Sequence, residues 1–348
     1  MSDLAGRKLR HIEACLQAEA EYQGVRSGLS RYRWPYAALP ELDLAQVDLR
    51  CSFLGHQLQA PLLIGAMTGG PEFSGRVNRH LAEAAAALGL GMMLGSQRAM
   101  LIHPEMRPSY AVRRFGGDLL LIGNLGLAQL TSGFGAAEIE EAAEVVEADA
   151  LAIHCNPLQE ALQRGGEPHF QGGLDALARL VEKVRHPLLV KEVGHGISGR
   201  VAASLAPLGL AAIDVAGAGG TCWARVEELV RYGEVRHPEL CEIGIPTAQA
   251  LIEVGAAAPQ LPRIASGGLR SGLDLAKALW LGAEVCAVAR PLLAAALESA
   301  LAVEGVLRNY LDELRIALFV AGLSSVAELR ERASGEALAY HRGDVEER

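Results

Sequence analysis

Lys191 stands in the run Pro187-Leu188-Leu189-Val190-Lys191-Glu192, an ammonium inside an otherwise apolar stretch. A buried lysine is costly unless something anionic or electron-rich faces it. Pairing with Glu192 is sterically poor, because neighbours on a strand point to opposite faces. A carboxylate elsewhere in the fold, a phosphate or an electron-rich ring remain as partners. A second signal is the glycine-rich turn Gly267-Gly268-Leu269-Arg270 ahead of a helical stretch, followed later by Ala289-Arg290. Glycines let backbone N–H groups approach closely and a helix N-terminus favours an anion, so this pair of turns reads as a phosphate site.

A third group is His154-Cys155-Asn156-Pro157-Leu158-Gln159-Glu160. Asn156 can N-cap a helix, Pro157 suits its first position and Gln159 completes a capping-box pattern. That accounts for neither His154 nor Glu160. Glu160 could hold a Mg²⁺ that also binds a diphosphate, with His154 and Gln159 facing the substrate. Arg7, Lys8 and His11 lie within one helical turn, and Ser96-Gln97-Arg98 adds another donor set. Two separate anion sites imply a phosphorylated cofactor and a phosphorylated substrate. Cys222 has no histidine beside it in sequence and reads as a packing residue.

These residues need a scaffold that gathers them. Eight apolar runs recur after residue 60: 61–66, 90–95, 118–123, 150–154, 187–192, 210–216, 262–266 and 284–289. They are continuous rather than alternating, as in strands buried on both faces. Helical patterns lie between them at 75–88, 138–147, 173–185, 198–207, 248–257 and 272–281. The expected fold is a (β/α)8 TIM barrel with an N-terminal extension, an open doubly wound sheet being the alternative. The chain divides into an extension (1–60, one helix over about 7–20, contributing to the substrate site), the barrel (61–331) and a tail (332–348). Residues 217–247 read as a long loop and 291–331 as two more helices. Apart from Arg7, Lys8 and His11 in the extension, these signals fall at the C-terminal ends of strands, where barrels place their chemistry.

Composition narrows the classes. Half of the 348 residues are hydrophobic, enough for a large core. The net charge of −9, with no basic run, argues against nucleic acid as a partner. The six cysteines form no C-x-x-C pair, so a thiolate zinc site is not expected and reduced, buried thiols are. No apolar run reaches the roughly 20 residues of a membrane span, and the start of the chain has no apolar signal core; a cytoplasmic location follows as an expectation.

Over nearly its whole length the sequence resembles the FMN-dependent type 2 isopentenyl-diphosphate Δ-isomerases. The match rests on RKLRH at 7–11, PLLIGAMTGG at 61–70, GSQR at 95–98, HCNPLQEAL at 154–162, VKEVG at 190–194, IDVAGAGGTCWA at 213–224 and ASGGLRSGLDLAKAL at 265–279. The resemblance implies that Ala66, Met67, Thr68, Ser96 and Asn124 lie along the flavin. It places Lys191 near the flavin ring, and Thr221, Gly268, Arg270, Ala289 and Arg290 around its phosphate. Arg7, Lys8, Ser96, Gln97, Arg98 and Gln159 become substrate contacts, Glu160 the Mg²⁺ ligand, and His154, Gln159 and Lys191 the catalytic set. It further implies NAD(P)H as reductant, a prenyl diphosphate substrate and a homo-oligomer, tetramer or octamer. An FMN oxidase of 2-hydroxy acids is the nearest rival, but it uses a histidine after the sixth strand, where this chain reads AGAGGTCWA. A dehydrogenase built on Cys222 and a regulatory phosphate-binding barrel are weaker rivals.

Overall fold

The computed structural model describes residues 3–341. Eight parallel strands close into a barrel in chain order: β1 (Leu62–Ile64), β2 (Gly91–Met93), β3 (Leu121–Gly126), β4 (Ala150–Cys155), β5 (Leu188–Glu192), β6 (Ala212–Asp214), β7 (Arg263–Ser266) and β8 (Val285–Val288). β8 pairs back onto β1, with Cys286 opposite Leu62. This is the (β/α)8 barrel, not the open sheet. All eight apolar runs hold a strand. β3 runs on through Asn124, Leu125 and Gly126 because these pair in register with Ala152, Ile153 and His154 of β4.

The helices pack outside the strands. Glu72–Leu88, Gly272–Trp280 and Ala300–Val320 form one packed group. The last of these buries Val303, Leu307, Tyr310, Leu314, Ala317 and Leu318, a stripe with the helical period. The region expected to hold two helices after residue 291 holds three, Arg290–Glu298, Ala300–Val320 and Val326–Gly335. Ser299 and Ser325 divide them, each hydroxyl accepting the N–H three residues on. The third helix runs across the boundary expected at 331, and residues 342–348 of the expected tail lie outside the described residues.

Two other expectations are corrected. The N-terminal helix spans Asp3–Leu16 rather than 7–20, and its end is fixed by Arg290, whose Nε donates to Cys15 O (2.6 Å) and Nη2 to Gln17 O (3.0 Å). The stretch 217–247 is not one loop but contains the helix Trp223–Tyr232. Trp223, Val226, Leu229 and Val230 form an apolar stripe at helical spacing that packs with Ile12, Ala14 and Cys15, while Arg225, Glu227 and Glu228 are buried beside it. The helix packs against the N-terminal helix and against Pro157–Leu162. A hairpin, Cys51–Phe53 with His56–Leu58, precedes β1; its three-residue strands are too short to show a period in the sequence. Among the described residues no helix is long and apolar enough to cross a membrane.

Candidate functional site

Strand register builds the centre. His154 is opposite Lys191, and Lys191 is opposite Asp214, on β4, β5 and β6. Lys191 is 7% exposed; its Nζ donates to Glu192 O (2.5 Å) and lies 3.9 Å from Asp214 Oδ2. The neighbouring Glu192 carboxylate points into its own loop, accepting the N–H groups of Val193, Gly194, His195 and Gly196. Asp214 is fully enclosed and accepts Ser266 Oγ (2.6 Å) and Ala216 N–H (3.2 Å). Burial pushes its carboxyl above the usual range, opposed by Lys191.

Two cavities meet here. Lys191, Ala66, Met67, Lys8, His11, Val193 and Trp223 line both. The first extends past Thr68 and Asp214 to Thr221, Gly268, Arg270, Ala289 and Arg290. The second extends past Asn124 and His154 to Arg7, Ser96, Arg98, Gln159 and Glu160. Arg270 and Arg98 thus stand in different cavities.

The far end of the first cavity suits a phosphate. Gly267 and Gly268 have φ of 99° and 70°, and a Cβ on Gly268 would sit 2.6 Å from Gly219 O. Within the described residues the N–H groups of Gly268 and Leu269 meet no acceptor, and the helix Arg290–Glu298 begins beside them. The arginine side chains are otherwise engaged. Arg270 donates to Glu21 through Nη1 (3.1 Å) and Nη2 (2.5 Å), and Arg290 Nη1 pairs with the same carboxylate. The cavity offers backbone donors and a cationic wall, which fits the phosphate tail of FMN.

In the second cavity His154 Nδ1–H donates to Asn124 Oδ1 (2.7 Å), leaving Nε2 as the acceptor. Burial, and then Lys191 and Lys8, push the imidazole pKa down to about 3, so the ring is neutral. Gln159 Nε2 donates to Glu227 Oε1 (2.8 Å), and the same oxygen lies 3.1 Å from His11 Nε2. Arg98 is paired with Glu167 (2.6 Å). Asn156 does not cap its helix; its Nδ2 donates to Gln159 Oε1 (3.1 Å) and Glu160 Oε1 (3.0 Å), because both side chains turn inward. Glu160 Oε2 accepts Glu167 N–H (2.7 Å), and Asn156 Oδ1 is a buried acceptor with no partner among the described residues. One carboxylate beside an unpaired amide oxygen is a hard-oxygen set suited to Mg²⁺ that takes its other ligands from water and phosphate. The described residues hold no cluster of three His, Cys, Asp or Glu side chains that could bind a metal alone.

Gln97 leaves the expected substrate set. It is wholly buried, its Nε2 donating to Ala142 O (2.6 Å) and its Oε1 accepting Asn124 N–H (2.7 Å). It holds β3 rather than a ligand. Gln97→Ala is expected to lower unfolding free energy by about 1–3 kcal/mol while leaving the KM for a diphosphate ligand nearly unchanged; urea unfolding and steady-state kinetics check both. Glu227, Asp214, Trp223 and Glu21 also line or brace the cavities; Asp214 and Trp223 lie within the motif at 213–224 but carry no site role in the sequence reading, and Glu21 and Glu227 lie outside every motif. Cys222 is fully buried, donates to Cys241 O (3.0 Å) and lines neither cavity.

Residues 128–335 match the family model of the FMN-dependent dehydrogenases, which sets the class: a flavin-type (β/α)8 barrel with its site at the strand ends. A mandelate oxidase structure aligns with TM-score 0.66 over 94% of this chain and 96% of that one; at 19% identity the likeness is one of fold. The isopentenyl-diphosphate delta-isomerase of Deinococcus radiodurans is 56% identical over 93% of this chain and 96% of its own. That of Mycobacterium marinum is 53% identical over 95% and 97%. The chain belongs to the isopentenyl-diphosphate delta-isomerase family.

Proposed function

We propose that this chain interconverts isopentenyl diphosphate and dimethylallyl diphosphate, with reduced FMN and Mg²⁺ as cofactors. The observation that carries the reading is the pair of cavities sharing Lys191, with Arg270 in one and Arg98 in the other. FMN occupies the first, its phosphate at Gly268, Thr221 and the start of the helix at Arg290. The prenyl diphosphate occupies the second. When bound and reduced, FMN supplies an electron-rich ring beside the tertiary cationic centre that alkene protonation creates.

The chain's own residues do the rest. Arg7, Lys8 and Arg98, with Mg²⁺ on Glu160, hold the diphosphate and so fix the prenyl group against Met67 and Trp223, away from water. Lys191 stabilises negative charge at the junction. Neutral His154 and the Gln159–Glu227 pair present an acceptor and an amide beside the carbons that gain and lose protons. One proton is added at C4 and one leaves C2, so the net reaction is redox-neutral. NAD(P)H serves only to reduce the flavin, and the working form is a homo-oligomer.

Under anaerobic conditions, catalytic reduced FMN should support many turnovers without matching NADPH loss. Stoichiometric NADPH consumption would contradict the proposal. A pH effect follows from Lys8, whose pKa burial, and then Arg7, push down to about 8. The ammonium is present below that pH and is lost above it, so kcat/KM should fall as pH rises through about 8. Lys8→Met should abolish that limb; a variant that keeps it assigns the limb elsewhere.

A further inference from the structure

The N-terminal arm walls both cavities. Arg7 lines the second, Ile12, Cys15 and Glu21 the first, and Lys8 and His11 both. The end of the arm is stitched to the turn after β6: Tyr22 N–H donates to Gly220 O (3.1 Å), Cys222 N–H to Ala20 O (2.8 Å), and Glu21 bridges Thr221. At that seam the Glu21 carboxylate faces two guanidinium groups from the turns after β7 and β8, Arg270 and Arg290. Arg290 also holds the carbonyls of Cys15 and Gln17, the C-terminal end of the helix that carries Arg7, Lys8 and His11.

We infer that Glu21 is a positioning residue that couples the two anion cavities, acting through Arg270 and Arg290. Its carboxylate fixes the side chains of the two turns that wall the cofactor-phosphate cavity, and the same arginine pins the helix that bears the diphosphate clamp. An anion seated against those turns braces Arg270 and Arg290, hence Glu21, hence the arm. A diphosphate held by Arg7 and Lys8 braces the arm from the other side. Binding at either cavity therefore strengthens binding at the other, and by linkage the factor is equal in both directions. The inference rests on the assignment of the two cavities made above.

The test is titration of FMN, followed by quenching of its fluorescence, with and without inorganic pyrophosphate and Mg²⁺. In the wild-type chain pyrophosphate should tighten FMN binding by about tenfold. In Glu21→Gln that tightening should vanish, although each ligand still binds alone. High salt should shrink the factor in the wild type and change nothing further in the variant, since the link is ionic and partly exposed. Should Glu21→Gln fail to fold, Glu21→Asp, which keeps the charge but draws the carboxylate back from both guanidinium groups, should shrink the factor while FMN alone still binds. An unchanged factor in a folded variant, or no factor in the wild type, overturns the coupling while leaving the cofactor reading intact. A wild-type chain that binds no FMN overturns that reading, and the coupling with it.

Discussion

Lys191→Met is expected to lower kcat/KM for isopentenyl diphosphate by about a thousandfold, the scale for removing a preorganised charge from a water-poor site. Lys191 lines both cavities, is 7% exposed, and stands in register with His154 and Asp214. The ammonium is held by a backbone carbonyl and a distant carboxylate, so its charge is available to whatever fills the junction. Methionine keeps a similar volume and unbranched shape, which should preserve the barrel. Asp214 loses its cation but keeps Ser266 Oγ and Ala216 N–H. FMN affinity should also fall. Circular dichroism, flavin titration and anaerobic turnover check the three parts. Activity within about tenfold of wild type at saturating FMN would remove Lys191 from the centre of the mechanism.

Glu160→Gln should lower kcat/KM by about a hundredfold and flatten the response to Mg²⁺, while leaving FMN binding alone. The last part follows from position: Glu160 lines the second cavity and not the first. The substitution removes the carboxylate that accepts Asn156 Nδ2 and Glu167 N–H. An amide has one acceptor oxygen, so one of those donors would face an NH₂ group. The loop carrying Glu167 should loosen, and with it the partner of Arg98. A Mg²⁺ titration of turnover separates metal loss from loop loss, because only the former moves the half-saturating Mg²⁺ concentration. An unmoved half-saturation would take Glu160 out of that role.

Much of this was legible beforehand. The eight strands could be read because each is a short, doubly buried apolar run between helical stretches, and such runs survive as composition. Lys191 stood out because a charge breaks its apolar run, and the turn at Gly267 and Glu160 because of what their residue types at a strand end could bind, although each also suits its place in a βα turn or a first helical turn. The helix Trp223–Tyr232 has an apolar stripe, Trp223, Val226, Leu229 and Val230, that the sequence shows; it reads as loop only because Arg225, Glu227 and Glu228, charged residues buried against other elements, interrupt that stripe. Gln97 was misplaced for the opposite reason: beside Ser96 and Arg98 it looks like a ligand donor, yet its amide is consumed by Ala142 and Asn124.

The sequence by itself determined the barrel, the glycine turns and the identity of the charged groups at the strand ends, because these depend on local periodicity and side-chain chemistry. Only the tertiary structure decided which groups share a cavity, that Arg290 grips the N-terminal arm, and that Glu21 joins the turns after β7 and β8. Those outcomes depend on contacts between residues separated by as many as 275 positions, such as Cys15 and Arg290. No local pattern encodes such a distance; closure of the barrel and docking of the arm set it.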